Sequence, residues 1–332
     1  MKKTGTRVSV KGIVQGVGFR PFVYNLAKAL NLKGFVINSS KGVTIEIEGK
    51  ESAAFIDRLT GEAPPLSQIM SLDTVSIPYQ GYKNFEIRES RDEGSFTLVS
   101  PDVSICKDCF REMLDKNDRR YLYPFINCTN CGPRYTITKS VPYDRPNTTM
   151  SVFKLCSDCS REYHDPRDRR FHAQPNACPV CGPQVYLQFN IQDSHLSESP
   201  GATKFKTKKI KREENPIKET IRFLKEGKIL AVKGLGGFHI ACDAMNKKAV
   251  EKLRLKKRKS NKPFALMCPD IETIRKFCEV SREEEEVLTS NRRPIVLLKK
   301  MPNDLPDAVS PNNPCIGFML PYTPLHYLLL SR

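Results

Sequence analysis

No stretch of this sequence is apolar for long enough to cross a bilayer, and with Met1-Lys-Lys-Thr-Gly5 at its opening no secretory signal is expected. The expected location is therefore the cytoplasm, with no membrane partner and, in a reducing compartment, no disulfides. Acidic residues are in short supply, 37 against 54 Lys and Arg, for a net charge of +17. That excess favours anionic partners, namely phosphorylated metabolites, nucleotides or RNA, without choosing among them. Much of it lies in two tracts, 204–212 and 247–262. The 332 residues leave room for two or three domains.

Cysteine is plentiful and ordered. Eight of the 12 cysteines form four C-x-x-C pairs, Cys106/Cys109, Cys128/Cys131, Cys156/Cys159 and Cys178/Cys181, separated by 18, 24 and 18 residues. The block is a duplication, because the surroundings repeat as well. Asp118-Arg119-Arg120-Tyr121 returns as Asp168-Arg169-Arg170-Phe171, and Cys131-Gly-Pro returns as Cys181-Gly-Pro. Two such turns bring four thiolates to one point, the closed tetrahedral cage of a structural zinc. Two structural Zn²⁺ ions are thus expected, the duplication favouring pairing within each copy, with interleaved pairing still open. Cys242, Cys268, Cys278 and Cys315 lack ligand spacing and read as small buried hydrophobes. His164, His172 and His195 read as surface residues, since cysteine fills every cage position.

The first ninety residues carry a different pattern. Residues 7–12 alternate as a strand, and Gly12-Ile-Val-Gln-Gly-Val-Gly18 breaks it with three glycines. Phe19-Arg20-Pro21-Phe22 then opens an apolar helix, with Pro21 in its first turn. Such a turn aims backbone N–H groups and the positive end of a helix at one point, which suits a phosphate. No Gly-Lys-Ser/Thr follows, so it is not a Walker loop, and a glycine loop alone fits a tight turn equally well. Strands are predicted at 33–39, 43–48, 70–77 and 85–88, with a helix at 51–60. The order βαββαβ is the ferredoxin-like split unit.

Gly12-Ile-Val-Gln-Gly-Val-Gly-Phe-Arg20, with Gly34-Phe-Val-Ile-Asn38 and residues 42–49, resembles an acylphosphatase domain across nearly all of residues 5–90. That resemblance implies catalytic roles for Arg20, which clamps the phosphoryl oxygens, and Asn38, which orients the attacking water. Phosphate binding falls to Gln15, Gly16, Val17, Gly18, Phe19 and Arg20. Phosphoryl transfer asks for positioned charge and a placed nucleophile, which this set supplies.

Residues 89–105 read as a connection, 185–189 as a strand, and 190–212 as a basic linker. A second αβ pattern follows, with helices at 217–226, 249–254 and 281–290 and strands at 229–233, 263–267 and 295–298. Lys233-Gly-Leu-Gly-Gly-Phe-His, the basic segment from Lys256 to Phe264, Asn291-Arg-Arg-Pro-Ile-Val-Leu and Gly317-Phe-Met-Leu-Pro-Tyr-Thr-Pro resemble the YrdC-like family. The resemblance implies ATP, with Mg²⁺, as a substrate and acyl-adenylate chemistry, with Lys233, Lys256, Arg258 and Lys262 as nucleotide-binding residues. A basic run at this place is otherwise a solvated face.

The expected fold class is multidomain α+β. It comprises a ferredoxin-like acylphosphatase domain at 1–90, a linker at 91–104, two zinc-finger modules at 105–189, a basic linker at 190–212, and a partial YrdC-like α/β domain at 213–332. The last domain is expected to be cut short at Arg332. This order of three dissimilar modules resembles the N-terminal part of the HypF family of hydrogenase maturation carbamoyltransferases. The resemblance implies hydrolysis of carbamoyl phosphate in the first domain and ATP-dependent carbamoyl-adenylate formation in the YrdC-like one. The carbamoyl group then passes to a cysteine of a partner protein and becomes the cyanide ligands of nickel–iron hydrogenase. The transferase domain for that last step is not expected in this chain. Carbamate decomposes in water, so the fingers are expected to wall a path for it, and loss of zinc to spare the Arg20 chemistry. Two rivals stand beside this reading, a stand-alone acylphosphatase with a zinc-bound scaffold and a zinc-dependent RNA-binding module. Little base-stacking aromatic pattern is present in the fingers beyond Tyr121, Tyr123 and Phe125, which makes RNA the weaker partner.

Overall fold

Alternating burial along β1 (Thr4–Ile13) places Val8 and Val10 in a core and leaves Arg7 and Lys11 outside. In this computed structural model, residues 4–90, 98–192, 205–209, 215–257 and 262–331 are described. After β1 come α1 (Phe19–Ala29), β2 (Lys33–Ser39), β3 (Gly42–Glu48), α2 (Ser52–Gly61), β4 (Gln68–Pro78) and β5 (Phe85–Ile87). They form one sheet in the order β4-β1-β3-β2-β5, antiparallel except where β2 meets β5. Val23, Leu26 and Ala27 of α1 and Phe55 and Leu59 of α2 pack with Val8, Val36 and Ile45 of the strands into one core. The acids buried in β3 are satisfied: Arg7 donates to Glu46 at 2.8 Å, and Glu48 accepts the N–H groups of Gly81 and Tyr82.

The same compact unit, Met1–Pro183, holds both cysteine modules. Each module opens with a helix starting one residue after its first cysteine, α3 (Lys107–Leu114) and α4 (Ser157–His164). The repeated arginines are exchanged between modules. Arg119 and Arg120 of the first donate to Glu162 on α4, and Arg119 also reaches Cys159 Sγ at 3.2 Å. Arg169 and Arg170 of the second donate to Glu112 on α3, with Arg169 at 3.3 Å from Cys109 Sγ. Burial opposes ionisation of Glu162, but hydrogen bonds from Arg120 and Arg119 outweigh it and hold this carboxyl down at about 2.

Gln184–Arg332 is a second compact unit. It begins with a hairpin of β6 (Gln188–Gln192) and β7 (Phe205–Lys209), followed by α5 (Pro216–Lys225) and a second hairpin of β8 (Leu230–Lys233) and β9 (Phe238–Ala241). Next are α6 (Lys247–Lys256), β10 (Ala265–Met267), α7 (Ile271–Arg275), α8 (Arg282–Thr289), β11 (Val296–Lys299), β12 (Cys315–Met319) and α9 (Pro324–Leu330). β12 lies between β10 and β11, parallel to the first and antiparallel to the second. Two differences from the sequence reading stand out. The 190–212 stretch contributes paired strand at both of its described ends, where Phe189-Asn-Ile-Gln alternates apolar and polar residues and Phe205-Lys-Thr-Lys alternates strand formers with lysine inside a charged composition. The central strand β12 and the helix α7 were not predicted. Cys268 and Cys278 are buried, whereas Cys242 and Cys315 are only partly so. Among the described residues no helix is long and apolar enough to cross a membrane.

Gly34 opens β2 at φ +142°, and a Cβ there would sit 1.8 Å from the Glu46 carbonyl oxygen of β3. Gly34→Ala must force the β2–β3 pair apart at the start of β2, the strand that carries Asn38. A loss of about 3 kcal/mol is expected, read as a lowered midpoint in denaturant unfolding.

Candidate active site and metal centres

The turn between β1 and α1 is shaped by Gly16 (φ +72°) and Gly18 (φ +78°), the latter sitting at the N-terminus of α1. Val17 and Phe19 are buried in the core, so this part of the turn is anchored by side chains that point away from the open side. The Gln15 side chain donates to the carbonyls of Ser39 (2.8 Å) and Gly42 (3.1 Å), tying the turn to the β2–β3 hairpin. Arg20, 7 % exposed, stands in the first turn of α1. The result is a helix N-terminus, a glycine turn and a guanidinium gathered at one place, a ready anion site.

The cysteine modules complete this site. Arg20 Nη2 donates to Asp144 Oδ1 at 2.6 Å and reaches the Tyr143 carbonyl at 3.4 Å. Tyr143 N–H donates to Gln15 Oε1 at 3.0 Å. Arg134 donates from Nε to the Gly16 carbonyl at 2.7 Å. A cavity of about 20 Å³ lies between, lined by the turn, Arg20 and Asn38 on one side and by Thr129, Arg134, Tyr143, His172 and Gln174 on the other. Asn38, 1 % exposed, lines it with both amide atoms buried and without a partner among the described residues. Buried polar atoms are nearly always paired, so an orphan amide facing a cavity marks a place for water or a ligand.

His172 corrects the sequence reading: it is not a surface residue but half-buried on the cavity wall. Burial, helped by the nearby Arg20 charge, pushes its imidazole down to about 4, so it is neutral near pH 7. His164 is exposed, and His195 lies outside the described residues.

The eight paired cysteines gather by copy. Cys106, Cys109, Cys128 and Cys131 form one cluster, and Cys156, Cys159, Cys178 and Cys181 the other, with each cluster's sulfurs within 4.8 Å of one another. Contacts of 3.7 Å for Cys106–Cys128 and for Cys156–Cys178 are far beyond the ~2.05 Å of a disulfide. They match the roughly 3.8 Å edge of a tetrahedron whose Zn–S arms are ~2.3 Å, so both clusters fit zinc. Arginine N–H groups on Cys109 and Cys159 Sγ offset the negative charge that four thiolates would carry.

In the second unit a cavity of about 1090 Å³ is lined by residues of β9, α6, β10 and α9. Lys262 lines it, as does Lys257, whereas Lys233 and Lys256 are not among its lining residues; Arg258 lies outside the described residues. Lys233 instead stands 5.0 Å from the Phe238 ring. His239 stacks on His326 at 6.0 Å, and the buried His326 Nδ1 has no partner among the described residues.

Sequence reasoning missed Arg134, Tyr143, Asp144 and His172 at the first site and His326 at the second, where His239 and Tyr322 stand inside the quoted stretches without an assigned role. One signal was available. The 24 residues between Cys131 and Cys156 hold the segment from Pro142 to Pro146, which the duplication leaves unexplained.

Comparison with known proteins agrees with this geometry module by module. Residues 6–87 match the acylphosphatase family, residues 105–138 and 155–188 the HypF finger, and residues 222–332 the Sua5/YciO/YrdC family described as telomere recombination. An acylphosphatase of Thermotoga maritima is 38 % identical over 85 residues, 93 % of that protein. Carbamoyltransferase HypF of Synechocystis sp. is 49 % identical over 328 residues, which is 98 % of this chain and 41 % of the relative. A solved structure of full-length HypF in the phosphate- and nucleotide-bound form superposes with a TM-score of 0.89 at 47 % identity, covering 99 % of this chain and 41 % of that one. The chain thus spans about two fifths of the length of these relatives. With acylphosphatase, paired fingers and Sua5/YrdC-type segments in this order and at this identity, the chain belongs to the HypF family.

Proposed function

We propose that the first unit hydrolyses carbamoyl phosphate and that the second uses ATP to convert the released carbamate to carbamoyl-adenylate. Within a hydrogenase maturation carbamoyltransferase, these steps supply the carbamoyl group that a partner protein accepts on a cysteine and that becomes the cyanide ligands of the nickel–iron centre. The setting is the cytoplasm. The observation that carries the first step is the convergence of buried Arg20 and the unpartnered amide of Asn38 on one cavity at a glycine turn.

The chemistry follows from that arrangement. Turn amides and the Arg20 fork hold the phosphoryl oxygens and spread their charge. Asn38 holds the attacking water through its free amide atoms. Water attacks phosphorus in line with the acyl oxygen, which leaves as carbamate. The second step is supported by the cavity beside Lys257 and Lys262, which is large enough for a nucleotide, and by the nucleotide-bound state of the structural relative. Zinc, bound by the two cysteine clusters, would serve structure alone, since four thiolates leave no open position.

Phosphate release from carbamoyl phosphate beside acetyl phosphate tests the first step. Preference for carbamoyl phosphate is expected, with Arg20→Ala and Asn38→Ala each losing at least about a thousandfold in kcat/KM. Equal turnover of both substrates would instead favour a general acylphosphatase, and no release from either would refute the proposal. Zinc removal is expected to abolish phosphate release as well, because Arg134, Tyr143 and Asp144 are held by the fingers and in turn hold the turn and Arg20. This replaces the expectation that Arg20 chemistry survives without zinc. Equal kcat/KM before and after chelation would restore it. The exchange of arginines also predicts that Arg169→Ala speeds zinc release from the first cluster, not the second alone, when release is followed with a colorimetric chelator on variants lacking one cluster.

A further inference from the structure

Two residues lining the first cavity, one from each module, carry buried polar side-chain atoms without partners among the described residues. Asn38 belongs to the acylphosphatase segment and has its family role. Tyr143 belongs to the spacer between the two finger copies, is 2 % exposed, and its hydroxyl has no partner among the described residues. Its backbone is fixed on both sides, by Gln15 Oε1 at its N–H and Arg20 Nη2 at its carbonyl. Its ring lies directly on the turn, so that a Cβ added to Gly16 would be 3.0 Å from Tyr143 Cε1.

We infer that Tyr143 is a catalytic residue of the phosphatase site, its hydroxyl donating a hydrogen bond to the acyl oxygen that leaves phosphorus. The inference rests on the phosphatase reading above. In that reaction the water oxygen bonds to phosphorus and the P–O bond to the acyl oxygen breaks, its electron pair going to that oxygen. Both water protons stay with the released dihydrogen phosphate, and the carboxylate departs without one. Negative charge therefore grows on the acyl oxygen, on the side of phosphorus away from the water, and a fixed donor there lowers the barrier.

Most of the other polar groups on the cavity wall are already committed. Arg134 gives its donors to the carbonyls of Gly16, Cys128, Thr129, Cys131 and Pro133. Thr129 Oγ1 donates to the Arg169 carbonyl and Gln174 Nε2 to the His172 carbonyl. Arg20 and the turn amides are needed by the phosphoryl group. The Tyr143 hydroxyl and the His172 imidazole are left; the imidazole packs against the Tyr163 and Phe171 rings, and of the two the Tyr143 hydroxyl is the one fully enclosed without a partner among the described residues. Burial pushes it up to about 12, so it keeps its proton and serves as a donor across the working pH range.

The test is Tyr143→Phe in the zinc-loaded chain, assayed with carbamoyl, acetyl and chloroacetyl phosphates beside Arg20→Ala. A fall in kcat of about tenfold to a hundredfold is expected for carbamoyl phosphate, with KM little changed. The loss should be larger for acetyl than for chloroacetyl phosphate, because the more basic leaving oxygen depends more on the donor. The thermal midpoint should be unchanged or higher, since the hydroxyl removed had no partner to lose. Turnover within about twofold of the parent for all three substrates would overturn the inference. So would a uniform loss accompanied by a lowered midpoint, which is the mark of packing. If Arg20→Ala retains activity, the phosphatase reading itself fails and this inference with it. An inactive Arg20→Ala beside a fully active Tyr143→Phe would sink the role of Tyr143 alone.

Discussion

Arg134 is 1 % exposed, and every hydrogen bond found for its side chain goes to a backbone carbonyl. One of those carbonyls belongs to Gly16 in the glycine turn; three others, of Cys128, Thr129 and Cys131, belong to the second knuckle of the first finger. A buried guanidinium is costly unless its donors are all answered, so neither loop can change shape without stranding it. The knuckle contributes two of the four sulfurs of a cluster that fits zinc. Through one side chain the glycine turn is thereby tied to a cluster whose four sulfurs fit a metal.

The ion pair of Arg20 with Asp144 is the second consequence of that docking. An arginine at the mouth of an isolated domain would be hydrated; here it is 7 % exposed and needs a counter-charge, which comes from the spacer between the finger copies. Fingers that read in sequence as a separate module are, at this site, half of the wall.

What the sequence discloses and what it hides follow a physical division. The βαββαβ order was legible because each strand and helix carries its own period, and the glycine turn because its signal is local. The cysteine clusters were legible because spacing and chemistry coincide within each pair. Arg20 and Asn38 were found through their motifs, and the structure brings both to one cavity. Tyr143 and Asp144 were not found, because their importance lies wholly in contacts more than a hundred residues distant in the chain. The basic run ahead of β10 shows the opposite failure. Charge clusters are conspicuous in sequence, yet of the three described cations among those singled out in the second unit, Lys233, Lys256 and Lys262, only Lys262 lines the cavity there. β12 went unseen because Cys315-Ile-Gly-Phe-Met is short, contains glycine and cysteine, and lacks the alternation that marks a half-buried strand.

The exchange of arginines between the finger copies has a consequence for inheritance. Glu112 is answered by Arg169 and Arg170, and Glu162 by Arg119 and Arg120, so each copy's own charges do not balance within it. A reversal of sign at Glu112 finds its remedy 57 or 58 residues away in the other copy and nowhere in its own. Two halves that began as duplicates are thereby bound to drift together: neither can be lost, shuffled into another protein or replaced alone without leaving the survivor's buried charges unanswered.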